Sequence, residues 1–378
     1  ITFFIWNSHD FEIALMAATS VLIITCPCAL GMATPMSIAV ASGLGARHGI
    51  LVKNGLVLET LSKVTHFVFD KTGTLTEGKM SVAQVQFASG VNEQEIVRHA
   101  AAVERFSEHS VARAITAYAE QQKLSYRDLA VSGFQATAGL GVAADVAGQW
   151  VLLGSASWLT QCGVALDVAL QARAYRMEAQ AMSCVYMAQG GRHVAIIALA
   201  DRLRGDAQQL VDGLRAAGIV LTLLSGDRRP VAEAIARQLG GMEVIAEVLP
   251  QDKDQIIQAM QQGGAVVAMV GDGVNDAPAL IRADVGIALG SGTDVSVESA
   301  DIVLMHNELN KVLQATQLSR RTLRTIKQNI GLSFVYNLIM VPLAMLAKVT
   351  PLVAAITMPI SSLIVIGNAA RIRTMFKK

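Results

Sequence analysis

Three long stretches without a charged side chain dominate this sequence of 378 residues. They cover residues 13–46, 328–347 and 349–370. Each is long enough for a helix that crosses a hydrocarbon layer of about 30 Å, which takes roughly 20 residues. The alternative is a helix buried in a protein core, but only 16% of the residues are charged, against about a quarter in soluble domains. We therefore predict three membrane spans, the first of them interrupted at Pro27, Gly31 and Pro35.

The positions of lysine and arginine predict the orientation of these spans. Such residues accumulate beside membrane helices on the cytoplasmic side. The cations next to the spans are Arg47, Lys53, Lys63, Arg320, Arg321, Arg324, Lys327, Arg371, Arg373, Lys377 and Lys378. We expect an integral protein of the cell membrane, surrounded by membrane lipid, with the long middle segment and the carboxy terminus in the cytoplasm. The net charge of +1 offers no electrostatic basis for binding nucleic acid.

The middle segment alternates short apolar runs with helical patterns. Runs at 66–69, 219–224 and 265–270 lead into Asp70, into Ser225-Gly226-Asp227 and into Gly271-Asp272. Helical patterns lie between the runs, as at 231–239 and 253–260. This alternation predicts a parallel sheet whose ligand site lies at the carboxyl ends of the strands, where all three Asp-bearing turns fall.

The pattern changes between residues 80 and 198, where short strand-like pieces alternate with helices near 93–105 and 110–122. We interpret this part as an α+β domain inserted into the α/β domain. The predicted organisation is therefore membrane helices at 1–48, a discontinuous α/β domain at 49–79 and 199–318, the inserted domain at 80–198, and two carboxy-terminal membrane helices at 319–378.

The turn Asp70-Lys71-Thr72-Gly73-Thr74 is the strongest chemical signal. A carboxylate at a strand end, followed by a glycine-containing turn, can attack a phosphoryl group while backbone amides and hydroxyls hold its oxygens. Mg²⁺ at such a site needs a second carboxylate, and we assign Asp70, Thr72 and Asp272 to it. Lys253 is the candidate cation beside the transferred phosphate. An ordinary surface turn is the alternative, but chance is a poor explanation for this turn together with the two other Asp-bearing turns that follow it.

Together these elements resemble the phosphorylation domain of P-type ATPases, which are similar to haloacid-dehalogenase-fold phosphatases. The resemblance extends from Cys26-Pro27-Cys28 nearly to the end of the chain. It implies a haloacid-dehalogenase-like phosphorylation domain, an inserted nucleotide-binding domain, α-helical transmembrane segments, the cofactors ATP and Mg²⁺, and an aspartyl-phosphate at Asp70. The implied catalytic residues are Asp70, Lys71, Thr72, Thr74, Ser225, Gly226, Asp227, Lys253, Asn275 and Asp276.

Thr72 separates the two related families. Phosphatases of this fold carry a second Asp two residues after the nucleophile, where this chain has Thr72. A hydroxyl group cannot serve as a general base near neutral pH. We therefore expect the phosphorylated enzyme to persist, as a pump requires.

The inserted domain carries a weaker motif. Ser107-Glu108-His109 resembles the Ser-Glu-His-Pro motif of heavy-metal P-type ATPases, although Ser110 replaces the proline. The resemblance implies that Glu104 and His109 contact adenine. It also implies that Gly139 and Gly141 let the backbone approach the nucleotide closely. Alone, a histidine of this kind is more often an ordinary surface or core residue.

Cys26-Pro27-Cys28 lies in the middle of the first span. On a regular helix two such side chains point about 200° apart, so they can meet on one ion only if the proline breaks the helix. Two buried cysteines that pack as small apolar residues are the alternative. We expect free thiols in a reducing compartment, and we interpret Cys162 and Cys184 as core thiols.

Two thiolates indicate a soft ion such as Cu(I), Ag(I), Zn(II) or Cd(II). Tyr336-Asn337 and Met358 with Ser361-Ser362 resemble elements of the Cu(I)-transporting subgroup, whereas the Zn(II) pumps place an Asp in the last span. No carboxylate occurs between residues 349 and 370, and a divalent ion would need that charge in a low-dielectric site. The resemblance thus implies transported Cu(I), with Zn(II) or Cd(II) as the alternative. The implied ligands are Cys26, Cys28, Tyr336, Asn337, Met358 and Ser362.

Parts of that family's pattern are missing from this chain. The family's actuator domain carries a Thr-Gly-Glu motif, which does not occur here, and the chain starts inside an apolar stretch without Met. We expect the actuator and the early membrane helices to belong to the same, longer protein, and a cytosolic carrier to deliver Cu(I). Two further functions stay open: a phosphohydrolase with a membrane anchor, and a copper-binding membrane protein without enzymatic activity.

Overall fold

The computed structural model describes residues 1–7, 10–137, 139–272, 276–290 and 298–376. The helices in these ranges are α1 Thr2–Asn7, α2 Phe11–Ile24, α3 Cys28–Arg47, α4 Gly55–Ser62, α5 Glu93–Glu104, α6 Ser110–Gln121, α7 Ala156–Gln161, α8 Val168–Glu178, α9 Ala207–Ala216, α10 Arg229–Gln238, α11 Lys253–Gln262, α12 Ala277–Arg282, α13 Asn310–Met345 and α14 Pro351–Ala370. The strands are β1 Ile50–Val52, β2 His66–Asp70, β3 Thr76–Phe87, β4 Val131–Thr137, β5 Gly141–Val146, β6 Gln149–Gly154, β7 Ser183–Gln189, β8 Arg192–Leu203, β9 Val220–Leu224, β10 Glu243–Ile245, β11 Val267–Gly271, β12 Val285–Leu289 and β13 Ile302–Leu304.

Three helical segments in the described ranges are long and apolar enough to cross a membrane, at Phe11–Arg47, Asn310–Met345 and Pro351–Thr374. The predicted number and placement of the spans are therefore confirmed. The first segment is two helices, α2 and α3, separated at Pro27 as predicted. The prediction of further interruptions was wrong, because α3 continues through Gly31 and Pro35. Membrane helices tolerate an internal proline or glycine where neighbouring groups satisfy the backbone atoms that it frees.

A largely parallel sheet forms the first unit outside the membrane helices, as the alternating pattern predicted. Its strand order is β1-β13-β12-β11-β2-β9-β10. Among the described strands of this sheet, only β1 pairs antiparallel with its neighbour. The run Phe67-Val68-Phe69 is fully buried in β2. Helices α9 and α10 cover one face through Leu210 and Ile235, which pack in one core with Phe67 and Phe69. Burial of these side chains on both faces explains why β2 has no polar residue before Asp70 except His66 at its half-buried start.

The second unit is an antiparallel sheet with the order β3-β8-β7-β6-β5-β4. Helices α5 and α6 pack on one face, where Ala100 and Ile115 are buried, and α7 and α8 pack on the other, where Leu159 and Leu170 are buried. The sheet extends from Thr76 to Leu203, somewhat wider than the range 80–198. The long strands β3 and β8 pair with each other and connect the two units.

Helix α13 connects the membrane to the first sheet. Val312 and Ala315 near its start belong to the core that also contains Phe69. Tyr336, more than five turns further along, packs in a cluster with Ile24 of α2. One continuous helix therefore joins the core behind Asp70 to the membrane cavity described below.

Candidate active site and membrane cavity

Asp70 is the last residue of β2, between β11 and β9. Parallel strands end at the same edge of a sheet, so the turns after β9 and β11 flank it. Ser225-Gly226-Asp227 follows β9, and Asp272 follows β11. The structure thus brings together three of the turns that carry the predicted chemistry. Gly273, Val274 and Asn275 lie outside the described residues, including the predicted catalytic Asn275.

Lys253, at the start of α11, reaches two carboxylates in this edge. Its Nζ atom lies 2.6 Å from Oδ1 of Asp70 and 2.6 Å from Oδ1 of Asp276. All three side chains are buried. Burial, and then the charge of Asp276, raise the pKa of Asp70 to about 7 in spite of the ammonium group. Burial alone would lower the pKa of Lys253, but the two carboxylates hold it above its ordinary value.

Lys71 interacts with a different carboxylate. Its Nζ atom lies 2.5 Å from Oδ2 of Asp227, and Ser225 Oγ donates to the same oxygen at 2.7 Å. Burial acts to raise the pKa of Asp227, but Lys71 and the hydrogen bonds outweigh it and hold this pKa below the usual range. Asp227 is therefore an ionised carboxylate that pairs with Lys71, the residue after Asp70.

The turn after Asp70 requires glycine at one position. Gly73 has φ +76°, and a Cβ atom there would lie 2.6 Å from Oδ2 of Asp272. The Asp272 carboxylate is thus packed directly against the turn. Two buried oxygens of the site, Thr74 Oγ1 and Asp276 Oδ2, have no hydrogen-bond partner among the described residues. Because a buried polar atom without a partner is costly, these oxygens fit a site completed by a bound phosphate or ion.

The predicted Mg²⁺ ligands fit a hard cation in chemistry and position. Asp70 and Asp272 are close enough for the charge of Asp272 to raise the pKa of Asp70, and Thr72 lies half-buried in the same turn. The described residues hold no group of three His, Cys, Asp or Glu side chains around one metal position. Mg²⁺ usually keeps several waters and adds substrate phosphate oxygens to one or two carboxylates, so this ligand set is sufficient for it.

Arg204 supports the turn and was missed in the sequence. Its Nε and Nη2 atoms donate to the carbonyl oxygens of Thr74 at 2.8 Å and Gly73 at 2.7 Å. Nearby, Asp201 accepts from Thr76 Oγ1 at 2.5 Å and from the backbone N–H of Lys79 at 3.1 Å. The only signal for either residue is a charged cluster at 201–204 directly after an apolar strand. That cluster could equally have been an exposed strand end.

The predicted adenine residues lie in the second unit. Glu104 ends α5 and is 4% exposed. Burial raises its pKa to about 7. Glu104 lines a cleft of about 510 Å³ together with Phe106, Arg113 and Tyr126, whereas His109 is not among the lining residues. His109 is exposed, and its Nδ1 accepts from the N–H of Val111 at the start of α6.

The structure gives different reasons for glycine at the two predicted positions, 139 and 141. Gly139 has φ +73° with open space around it, which suits a backbone that a ligand approaches. A Cβ atom at Gly141 would lie 2.3 Å from the carbonyl oxygen of Leu153 and 2.6 Å from the Trp158 ring. Packing between β5 and β6 therefore already requires glycine at position 141, whether or not a nucleotide binds there.

Four predicted metal ligands meet at one small cavity in the membrane layer. Cys26, Tyr336, Asn337 and Met358 line it. Its volume of about 10 Å³ is the space of one water or one small ion. Oδ1 of Asn337 is buried without a hydrogen-bond partner among the described residues. An unpaired polar oxygen in a cavity between membrane helices costs free energy. The cavity is therefore a candidate ligand site.

Two serines from the predicted set occupy different positions. Ser361 lines the cavity. Ser362, the predicted ligand, donates to the carbonyl oxygen of Met358 at 3.4 Å and is not among the lining residues. Ser333 of α13 also lines the cavity and had no distinguishing motif in the sequence.

The cysteines differ from the sequence prediction. The broken helix brings the sulfurs of Cys26 and Cys28 together, as predicted, but the structure joins them in a disulfide rather than leaving free thiols. The reason is the break itself, since two side chains released from helical spacing can reach each other. Cys162 was expected in a core and is exposed after α7, while Cys184 is half-buried.

The sequence from residue 64 to residue 284 matches the family described as haloacid dehalogenase-like hydrolase. This match covers more than half of the chain, and the chain belongs to that family.

Its curated relatives are P-type ATPases. It is 46% identical over 359 residues to the "Probable copper-exporting P-type ATPase V" of Mycobacterium tuberculosis (strain ATCC 25618 / H37Rv), covering 95% of this chain and 46% of that protein. It is 40% identical over 385 residues to the "Probable copper-transporting ATPase PacS" of Synechocystis sp. (strain ATCC 27184 / PCC 6803 / Kazusa), covering 98% and 51%. The chain spans about half the length of the curated relatives it matches.

A solved structure shows the same architecture. The crystal structure of a zinc-transporting PIB-type ATPase in its E2.Pi state superposes with a TM-score of 0.77 at 36% identity, covering 98% of this chain and 60% of that one. The predicted resemblance to heavy-metal P-type ATPases and the predicted fold class are therefore confirmed.

Proposed function

We propose that this protein transfers the terminal phosphoryl group of ATP to Asp70 and uses the phosphorylated state to export Cu(I) from the cytosol across the cell membrane. The observation that carries the proposal is α13. It runs from the core behind Asp70 to a cavity lined by Cys26, Asn337 and Met358. A rearrangement around Asp70 can therefore be transmitted through α13 to an ion bound in the cavity.

The geometry suits the first chemical step. A carboxylate oxygen of Asp70 attacks the γ-phosphorus, the bond to the β,γ-bridging oxygen breaks, and ADP leaves with that oxygen. Lys253 lies beside Asp70 and offsets the negative charge that accumulates on the transferred group. Bound Mg²⁺, held by Asp70, Thr72 and Asp272, would supply further charge neutralisation. Thr72 offers no carboxylate to activate water, so the proposed intermediate persists.

The nucleotide would bind in the second unit. Glu104 and His109 are proposed to contact adenine, and Gly139 and Gly141 to line its path. The buried Glu104 at the edge of the cleft supports this assignment because its carboxyl can form a hydrogen bond with an amino group of the ligand.

The choice of Cu(I) rests on the donor set. Thiolate, thioether, amide and hydroxyl groups suit a soft monovalent ion, and no carboxylate lines the cavity. The sulfurs bind metal as thiolates, so the proposal concerns the reduced form of Cys26 and Cys28. The names of the curated relatives favour copper. The zinc-transporting structural neighbour makes Zn(II) the second candidate.

Acid-stable labelling by ATP radiolabelled at the γ-phosphate tests the proposal. With reductant present, we expect label that depends on Cu(I) and is lost in Asp70→Asn. Met358→Leu, which removes a cavity thioether, is expected to weaken Cu(I) stimulation, whereas Met345→Leu at the exposed end of α13 is the matched control. Stimulation by Zn(II) alone would replace copper with the second candidate. Labelling that does not depend on any transported metal would indicate a membrane-anchored phosphohydrolase instead.

A further inference from the structure

A pair of contacts joins the second sheet to the loop after β9, outside the nucleophile and the nucleotide residues. Ser183 is the first residue of β7, and its Oγ donates to Oδ1 of Asp227 at 2.9 Å. Asp227 uses its other oxygen for Lys71 at 2.5 Å. A side chain of the nucleotide-side unit therefore contacts the carboxylate that holds Lys71.

The second contact lies one residue further along the same loop. Glu178, the last residue of α8, is fully buried and lies 2.5 Å from Nη1 of Arg228 through Oε1. The guanidinium of Arg228 also lies over the Tyr175 ring, 5.6 Å from its centre. Oε2 of Glu178 has no hydrogen-bond partner among the described residues, so Arg228 is the group that offsets this buried charge.

The pairing of Glu178 and Asp227 depends on these contacts between the two units. If the units separated at this point, Glu178 would lose its cation, and a buried charge without its partner is strongly unfavourable. Asp227 would at the same time lose the Ser183 hydrogen bond. The loop that carries Asp227 and Arg228 is thus held from the nucleotide-side unit at two consecutive residues.

We propose that Ser183 and Glu178 are positioning residues that fix the Asp227–Arg228 loop and, through Asp227, the side chain of Lys71, the residue that follows the phosphoryl acceptor in the chain. This inference rests on the proposed function, because it assigns these residues to the rate of phosphoryl transfer to Asp70. Neither residue touches the nucleotide or the reacting atoms in this assignment.

The test measures the rate of labelling at saturating ATP and the ATP concentration for half-maximal rate in the purified protein. Ser183→Ala is expected to slow labelling roughly tenfold or more, as small misplacements of reacting groups do, with half-saturation changed less than about twofold. Ser183→Thr keeps the hydroxyl and is expected to restore most of the rate. Ser132→Ala, on the far strand β4, is the matched control.

The ion pair is tested by a double-mutant cycle of Glu178→Gln and Arg228→Gln. If the pair acts as one unit, the double variant is no slower than the slower single variant. The inference would be overturned if the rate losses of the two single variants added in the double variant. It would also be overturned if Ser183→Ala labelled at the normal rate, or changed only the ATP concentration for half-maximal rate. None of these results would affect the proposed function. Absence of label from the unsubstituted protein would remove the proposed function itself and the inference with it.

Discussion

The Nζ atom of Lys253 lies at the same distance, 2.6 Å, from Oδ1 of Asp70 and from Oδ1 of Asp276. One cation therefore serves two buried carboxylates, and the arrangement carries an excess of negative charge before any ligand binds. Burial, and then the charge of Asp276, raise the pKa of Asp70, although Lys253 acts to lower it. Under the proposed function, a phosphoryl group entering this site needs additional positive charge.

Replacing Lys253 is expected to disable the site. In Lys253→Ala the two carboxylates lose their shared cation, and phosphoryl transfer loses the charge that offsets the transferred group. We expect labelling from ATP to fall by roughly a hundredfold or more. Lys63→Ala, which removes an exposed lysine paired with Glu59, is the control and should label normally. A Lys253→Ala protein that labels at the normal rate would contradict the assigned role.

The rate of phosphorylation is expected to depend on pH through Asp70. Attack requires the ionised carboxylate, and burial raises its pKa to about 7. Labelling at saturating ATP should therefore increase as the pH rises through about 7, and bound Mg²⁺ should move the midpoint to lower pH because it favours the charged form. Initial labelling rates at several Mg²⁺ concentrations measure both effects. A midpoint that does not respond to Mg²⁺ would argue against Asp70 as a ligand of the ion.

Glu104→Gln is expected to stabilise the protein without nucleotide, and to do so only at higher pH. The folded-state pKa of about 7 lies above the ordinary value of 4.5. The protonated carboxyl therefore favours folding below the ordinary pKa, and this contribution is lost as the pH rises through about 7. The apparent melting temperature of Glu104→Gln should match the unsubstituted protein at acidic pH and exceed it above about pH 8. Exposed Glu108→Gln serves as the control and should show no such trend.

Gly141→Ala is expected to destabilise the second sheet. The added Cβ would lie 2.3 Å from the carbonyl oxygen of Leu153, and such overpacking typically costs about 1–3 kcal/mol. Gly205→Ala has open space around the new carbon and is the matched control. Thermal unfolding should show a lower melting temperature for Gly141→Ala alone. Equal stability of the two variants would mean that β5 and β6 can separate without cost.

The prediction that the three Asp-bearing turns meet at one edge of the sheet succeeded because strand burial has a clear signature. Apolar runs at 66–69, 219–224 and 265–270 each end at a polar turn, and parallel strands bring their ends to one edge. Membrane spans were predictable for a similar reason, since crossing a hydrocarbon layer demands length and the absence of charge. Neither inference needs a specific side-chain contact.

Predictions that needed such contacts were less complete. The sequence contains nothing that places Arg204 on the carbonyl oxygens of Gly73 and Thr74. Nor does it choose between Ser361 and Ser362 for the cavity, because adjacent residues differ by about 100° around a helix. The disulfide of Cys26 with Cys28 also depends on local side-chain geometry.

By itself the sequence determined the parallel sheet, the membrane spans, and the order of the turns that meet at Asp70, because these depend on periodicity and burial along short segments. Only the tertiary structure decided which charges share a partner. Lys253 lies between Asp70 and Asp276, and Ser183 reaches Asp227 from another unit. Such pairings join residues that are distant in the chain, and their geometry is set by the packing of whole elements.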